Sequence, residues 1–102
     1  MESLEHFLAQ ANDSPAVILK HSDTCGFSSR AYLEMSRLER PVGLITVQKA
    51  RALSHEIEKR LGVAHETPQV LILLNGKVVW SASHGAVKAE AVEAAVREIS
   101  KQ

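Results

Sequence analysis

Short apolar runs alternate along the chain with stretches whose apolar residues recur three or four positions apart. These two periods predict strands and helices in turn. Leu4, Phe7, Leu8 and Ala11 share one face of a first helix, with Ser3 placed to cap it. Asn12-Asp13-Ser14-Pro15 ends that helix, because proline disfavours helical backbone at the residue before it. Ala16-Val17-Ile18-Leu19 is apolar throughout, the pattern of a central strand buried on both faces. Helical spacing returns from about Gly26 in Phe27, Ala31, Met35 and Leu38, and Arg40-Pro41 stops it. Val42-Gly43-Leu44-Ile45-Thr46-Val47 reads as a second strand. Leu53, Ile57 and Leu61 mark one face of a helix from about Ala50 to Leu61, with Gly62 as its stop. After Thr67-Pro68, Gln69 to Leu74 is a third strand. Asn75-Gly76 predicts a two-residue hairpin loop, since a type I′ turn needs positive φ at both positions. Lys77 to Ser81 returns as a fourth strand. Gly85 breaks the chain, and a last helix from about Val87 to Ser100 would bury Val92, Ala95, Val96 and Ile99.

The order is therefore α-β-α-β-α-β-β-α. Strands joined through a helix are expected to be parallel with a right-handed crossover, whereas the hairpin must be antiparallel. The prediction is an α/β fold with a central four-stranded mixed sheet, helices on both faces, and a single domain over residues 1–102.

Composition narrows the function classes. Twelve Lys and Arg balance twelve Asp and Glu, so no basic stripe invites nucleic acid. The longest apolar runs, Ala16 to Leu19 and Val70 to Leu74, are too short to cross a bilayer. Met1-Glu2-Ser3-Leu4-Glu5 is acidic where a secretory signal is basic. A soluble, cytoplasmic protein without nucleic-acid or membrane partners is expected.

The candidate chemistry centres on Cys25, the only cysteine, which falls between the first strand and the following helix. A thiol at a helix N-terminus meets unpaired N–H groups and roughly half a positive charge, and both favour the reactive thiolate. A lone cysteine is more ordinarily a small buried hydrophobe, but the polar neighbours Ser22, Asp23, Thr24 and Ser28 argue for the reactive role. With no second cysteine, the sulfur must work with an external thiol or a metal cluster. Ser28 sits one helical turn on, where its hydroxyl either donates to the thiolate or satisfies first-turn backbone. Thr24 is either a cap or a pocket wall, and Asp23 is expected to face solvent. Gly26 allows close approach of a ligand, or is simple turn chemistry, and Phe27 fits the core better than the ligand. His21, His65 and His84 fall near strand ends, in spacings that match no zinc pattern. His6 and His55 are expected on helix surfaces. Lys20 or His21 either hold the anionic end of a small thiol or are ordinary strand-end residues. Arg30, Arg37 and Arg40 are expected on a solvated helix face, and Trp80 on the sheet.

Three segments in order, Lys20-His21-Ser22-Asp23-Thr24-Cys25, Ala64-His65-Glu66-Thr67-Pro68-Gln69-Val70 and Asn75-Gly76-Lys77-Val78-Val79-Trp80-Ser81-Ala82-Ser83-His84, resemble the YtxJ-type monothiol bacilliredoxins of the bacillithiol redox system. The resemblance covers nearly the whole chain and implies a thioredoxin-like fold. It implies a thiol–disulfide oxidoreductase in which Cys25 removes bacillithiol from modified client proteins. Bacillithiol is then a co-substrate, with no tightly bound cofactor. It also implies a cis Thr67–Pro68 bond beside Cys25, with Thr67 and Pro68 shaping the thiol site. The tetrapeptide Cys25-Gly26-Phe27-Ser28 resembles instead the monothiol glutaredoxins, where bacilliredoxins of this type usually carry Pro-Ile after the cysteine. That resemblance implies a [2Fe–2S] cluster shared through one Cys25 from each chain and a small thiol. A non-catalytic thioredoxin-like interaction module is the third reading.

Overall fold

The structure is a computed structural model that describes residues 8–9, 11, 14–22, 26–38, 40–48, 50–64 and 66–100, residues 26–28 by their backbone. The elements are β1 (Ala16–His21), α1 (Gly26–Met35), β2 (Val42–Thr46), α2 (Arg51–Leu61), β3 (Gln69–Leu74), β4 (Lys77–Ser83) and α3 (Ala89–Ser100), with a 3-10 turn at His84–Ala86. Of the first helix, Leu8 and Ala9 are helical; Leu8 packs towards the sheet and Ala9 is exposed. Ser3, Leu4 and Phe7 lie outside the described residues.

The sheet runs β2-β1-β3-β4, with β1 and β2 parallel and the β1/β3 and β3/β4 pairs antiparallel. The mixed sheet thus matches expectation, and β1 and β3 occupy its centre. Strand alternation then divides the core in two. Val17, Leu19, Val70 and Ile72 pack against Ala31 and Met35 of α1 and Val92 and Val96 of α3. Ile18, Ile45, Leu71 and Leu73 pack on the other face against Ile57 of α2. Helices cover both faces.

Local chemistry accounts for the punctuation. Asn75 and Gly76 both take positive φ, 51° and 83°, which closes the two-residue turn. Gly62 ends α2 in the left-handed region at φ 69°, and its N–H donates to Glu58 O at 3.1 Å.

Three features differ from the sequence reading. α1 stops at Met35, short of Leu38 and the Arg40-Pro41 stop expected for it. β4 carries one extra residue opposite Ile72 and Leu73, so that Ile72 faces Trp80 while Leu73 faces Val78. This bulge sends Val78 to the α2 face and Trp80 to the α1/α3 face, which a regular alternation would have put together. Trp80 does pack on the sheet. The last helix begins at Ala89 rather than Val87, because its first N–H finds an acceptor from another helix: Glu34 Oε1 of α1 accepts from Ala89 N at 2.8 Å.

Candidate active site

Strand polarity gathers several chain segments at one end of the sheet. β1 ends at His21, β2 ends at Thr46 beside it, and β3 begins there because Lys20 pairs with Gln69. β4 also ends there, because Gln69 pairs with Ser83. Val47 N donates to His21 O at 2.9 Å, and His84 N donates to Pro68 O at 2.9 Å, stitching these ends together.

Cys25 follows β1 by four residues and directly precedes Gly26, the first residue of α1. Asp23, Thr24, Cys25 and His65 lie outside the described residues. Gly26, Phe27 and Ser28 form the first turn of α1, which carries no acidic residue, so nothing in it offsets the positive pole of the helix dipole. The Thr67–Pro68 peptide bond is cis, with Thr67 half-buried and Pro68 buried at the entry to β3. Thr67 and Pro68 therefore stand at the same sheet end as the β1–α1 connection.

Beneath this end lies a polar row that the apolar pattern did not announce. Lys20 is 0% exposed on the α2 face of the sheet, in register with Ile45 and Gln69. Burial lowers the pKa of its ammonium, against the raising influence of the Glu58 and Glu66 carboxylates. Lys20 is thus part of the interior rather than a strand-end cation open to a ligand, and strand alternation from Ile18 puts it on that face. Gln69 Nε2 donates to Ala64 O at 3.0 Å, Ser83 Oγ donates to Glu66 Oε2 at 2.6 Å, and Gln48 Nε2 donates to the buried Ser22 Oγ at 2.8 Å. His21 points to the opposite face, where its ring meets that of Tyr32 with centroids 5.8 Å apart.

The three arginines expected on one helix face divide: Arg30 lies in α1, whereas Arg37 and Arg40 lie in the chain after its end at Met35. Arg30 and Arg37 are exposed as expected, and Arg37 pairs with Glu34 at 3.2 Å. Arg40 is not simply solvated, since its Nε lies 3.4 Å from Glu93 Oε1 of α3. A cleft of about 220 Å³ between α1 and the chain leading into α3 is lined by Arg30, Glu34, Arg37, His84 and Lys88. A second, of about 260 Å³, is lined by Gln48, Arg51, Ser54 and the exposed His55. Among the described residues no three His, Cys, Asp or Glu side chains are grouped to hold a metal ion, and no helix is long and apolar enough to cross a membrane.

A parallel β1–α1–β2 unit, a cis proline opening β3, and a closing β3–β4–α3 unit define a thioredoxin-like α/β fold. Solved structures agree. A candidate oxidoreductase with a thioredoxin fold superposes with a TM-score of 0.83 at 30% identity, covering 93% of this chain and 89% of the other. Thioredoxin from Fasciola hepatica gives 0.73 at 13% identity (93% and 89% covered), and oxidised mitochondrial thioredoxin 3 from Saccharomyces cerevisiae gives 0.71 at 15% (96% and 92%). At those lower identities the likeness concerns the fold alone. The model of the monothiol bacilliredoxin family BrxC matches residues 1–92, and the chain belongs to that family of monothiol redox proteins.

Proposed function

We infer that the protein is a monothiol thiol–disulfide oxidoreductase that removes bacillithiol from mixed disulfides on client proteins. The observation that carries this reading is that its only cysteine immediately precedes, in the sequence, Gly26, the first residue of α1. That helix follows a strand ending at the same sheet end as Thr67 and Pro68. The positive end of the helix favours the thiolate of Cys25. That thiolate attacks the bacillithiol sulfur of the mixed disulfide. A Cys25–bacillithiol S–S bond forms, the client S–S bond breaks, and the client leaves as a thiolate that takes up a proton. A second bacillithiol thiolate then attacks the bacillithiol sulfur on Cys25, releasing oxidised bacillithiol and restoring the Cys25 thiolate. Bacillithiol serves as co-substrate, and no tightly bound cofactor is needed.

Ser28 donates its hydroxyl to the sulfur, Thr24, Gly26 and Phe27 shape the approach, and Thr67 offers its backbone to the cysteinyl part of the thiol beside Pro68. The partners are thiol-modified client proteins in the cytoplasm. Incubating the reduced protein with oxidised bacillithiol should add one bacillithiol mass, and Cys25→Ser should abolish the addition. A wild-type protein that stays unmodified overturns the reading.

A further inference from the structure

The cleft between α1 and the chain entering α3 has an uneven charge. Arg30, Arg37, His84 and Lys88 line it against one carboxylate, Glu34. That carboxylate is already engaged, one oxygen accepting from Ala89 N and the other pairing with Arg37. In a chain whose basic and acidic residues balance, this is a local excess of positive charge in a concave site. Its volume, about 220 Å³, suits part of a small molecule rather than a protein surface.

Two features of the backbone relate it to the segments of the proposed thiol site. Arg30 lies four residues into α1, about 6 Å along the helix axis from Gly26. The His84 end is tied to the Pro68 carbonyl by its own N–H at 2.9 Å. The cleft therefore begins about one helical turn from Gly26 and is joined to Pro68 through His84, and an extended thiol of tripeptide size spans roughly 10 Å.

We propose that this cleft is an anion subsite for the small thiol: Arg30, Lys88 and His84, with Arg37 beyond them, hold the carboxylates of the molecule whose sulfur is exchanged at Cys25. The inference rests on the monothiol exchange reading above and adds the chemistry by which the thiol is chosen. Bacillithiol carries two carboxylates on its malate portion, so a cationic cleft favours it over neutral thiols. The Arg51–His55 cleft is the less suited of the two, having fewer cations and a Gln48 committed to Ser22.

The test compares one model peptide in two forms, as its mixed disulfide with bacillithiol and with 2-mercaptoethanol, which is uncharged. In both, free 2-mercaptoethanol takes the small thiol off Cys25 as a disulfide and so restores the thiolate. The enzymes are the full chain, Arg30→Gln/Lys88→Gln, and Arg51→Gln as a control for lost charge elsewhere. All three residues are exposed, so the variants should fold as the parent does, which circular dichroism checks. For the double variant, KM for the bacillithiol form should rise about fivefold to tenfold, the loss of two exposed ionic contacts. Its kcat should hold, and its rate on the 2-mercaptoethanol form should not change. Added salt should raise the wild-type KM for the bacillithiol form alone.

An unchanged KM in the double variant overturns the subsite while leaving the exchange reading intact, provided the wild type reduces both disulfides. An equal loss on both disulfides also overturns it, assigning the cleft to the shared peptide. An equal loss in Arg51→Gln reduces the effect to net charge. A wild type that reduces neither form removes the exchange reading itself, and the subsite with it.

Discussion

Glu34 is the residue through which α1 holds the start of α3, and its removal gives a sharp test of the packing argument. One oxygen accepts the first N–H of α3 at 2.8 Å, and the other lies 3.2 Å from Arg37 Nη1. The second contact is weak, because the Arg37 side chain is 72% exposed and the pair is a local i,i+3 one, worth at most about 0.5 kcal/mol. The first contact is stronger. The Glu34 side chain is 20% exposed, and it does the work of an N-cap, since the side chain of Lys88, just before Ala89, has no acceptor. Losing a cap costs about 0.5–2 kcal/mol, and hydrogen bonds to charged groups contribute about 1.5–3 kcal/mol. Glu34→Ala should therefore destabilise the protein by about 2 kcal/mol, or roughly 10 °C in Tm for a domain of this size. Glu34→Gln keeps an acceptor oxygen and should lose less than half as much, and Arg37→Ala should lose under about 0.5 kcal/mol. Urea unfolding followed by Trp80 fluorescence and far-UV circular dichroism reads all three. If Glu34→Ala unfolds within 0.5 kcal/mol (about one small surface effect) of the parent, or if Arg37→Ala matches it, the cross-helix cap is not what anchors α3.

Lys20→Met removes a buried charge while keeping most of its length. Burial depresses the ammonium pKa below its usual 10.5, so the folded state disfavours the charged form relative to the unfolded chain. That penalty is complete below the depressed pKa and fades as pH rises towards 10.5. Lys20→Met should thus be at least as stable as the parent at pH 7, with its advantage shrinking by pH 10.5; urea midpoints at both pH values decide, and a large loss at pH 7 would show that the Glu58 and Glu66 attraction outweighs desolvation. Gly62→Ala should cost about 1 kcal/mol, wholly from the left-handed backbone, since nothing lies within 4 Å of the added methyl. Gly85→Ala, also with open space around it but no positive φ, should stay within about 0.5 kcal/mol, and equal effects at the two sites would refute the backbone argument.

Element types and turns were legible in the residues because they depend on local physics. Spacing alone identifies the buried faces at Ala31 and Met35, at Ile57, and at Val92 and Val96. Asn75-Gly76 and Gly62 announce their positive φ through the scarcity of residues that tolerate it. The cis Thr67–Pro68 bond followed from the family resemblance of the segment around it, because Thr-Pro before a strand is a feature of the chain itself.

What needed tertiary structure is what distant segments do to one another. Periodicity assigns a residue to a face but cannot say which strand lies beside it, so the place of β1 between β2 and β3 emerges only with the sheet. The burial of Lys20 follows from that central place, because a lysine on an edge strand could have reached water. The β4 bulge reverses the face of Trp80 relative to Val78, and no local signal marks it. Glu34 capping α3 across 55 residues, and the meeting of Arg30 with His84 and Lys88, exist only once α1 and the β4–α3 connection are packed on the same face of the sheet. Chain entropy makes such long-range contacts impossible to read from neighbours, and the packed core is what brings them within range.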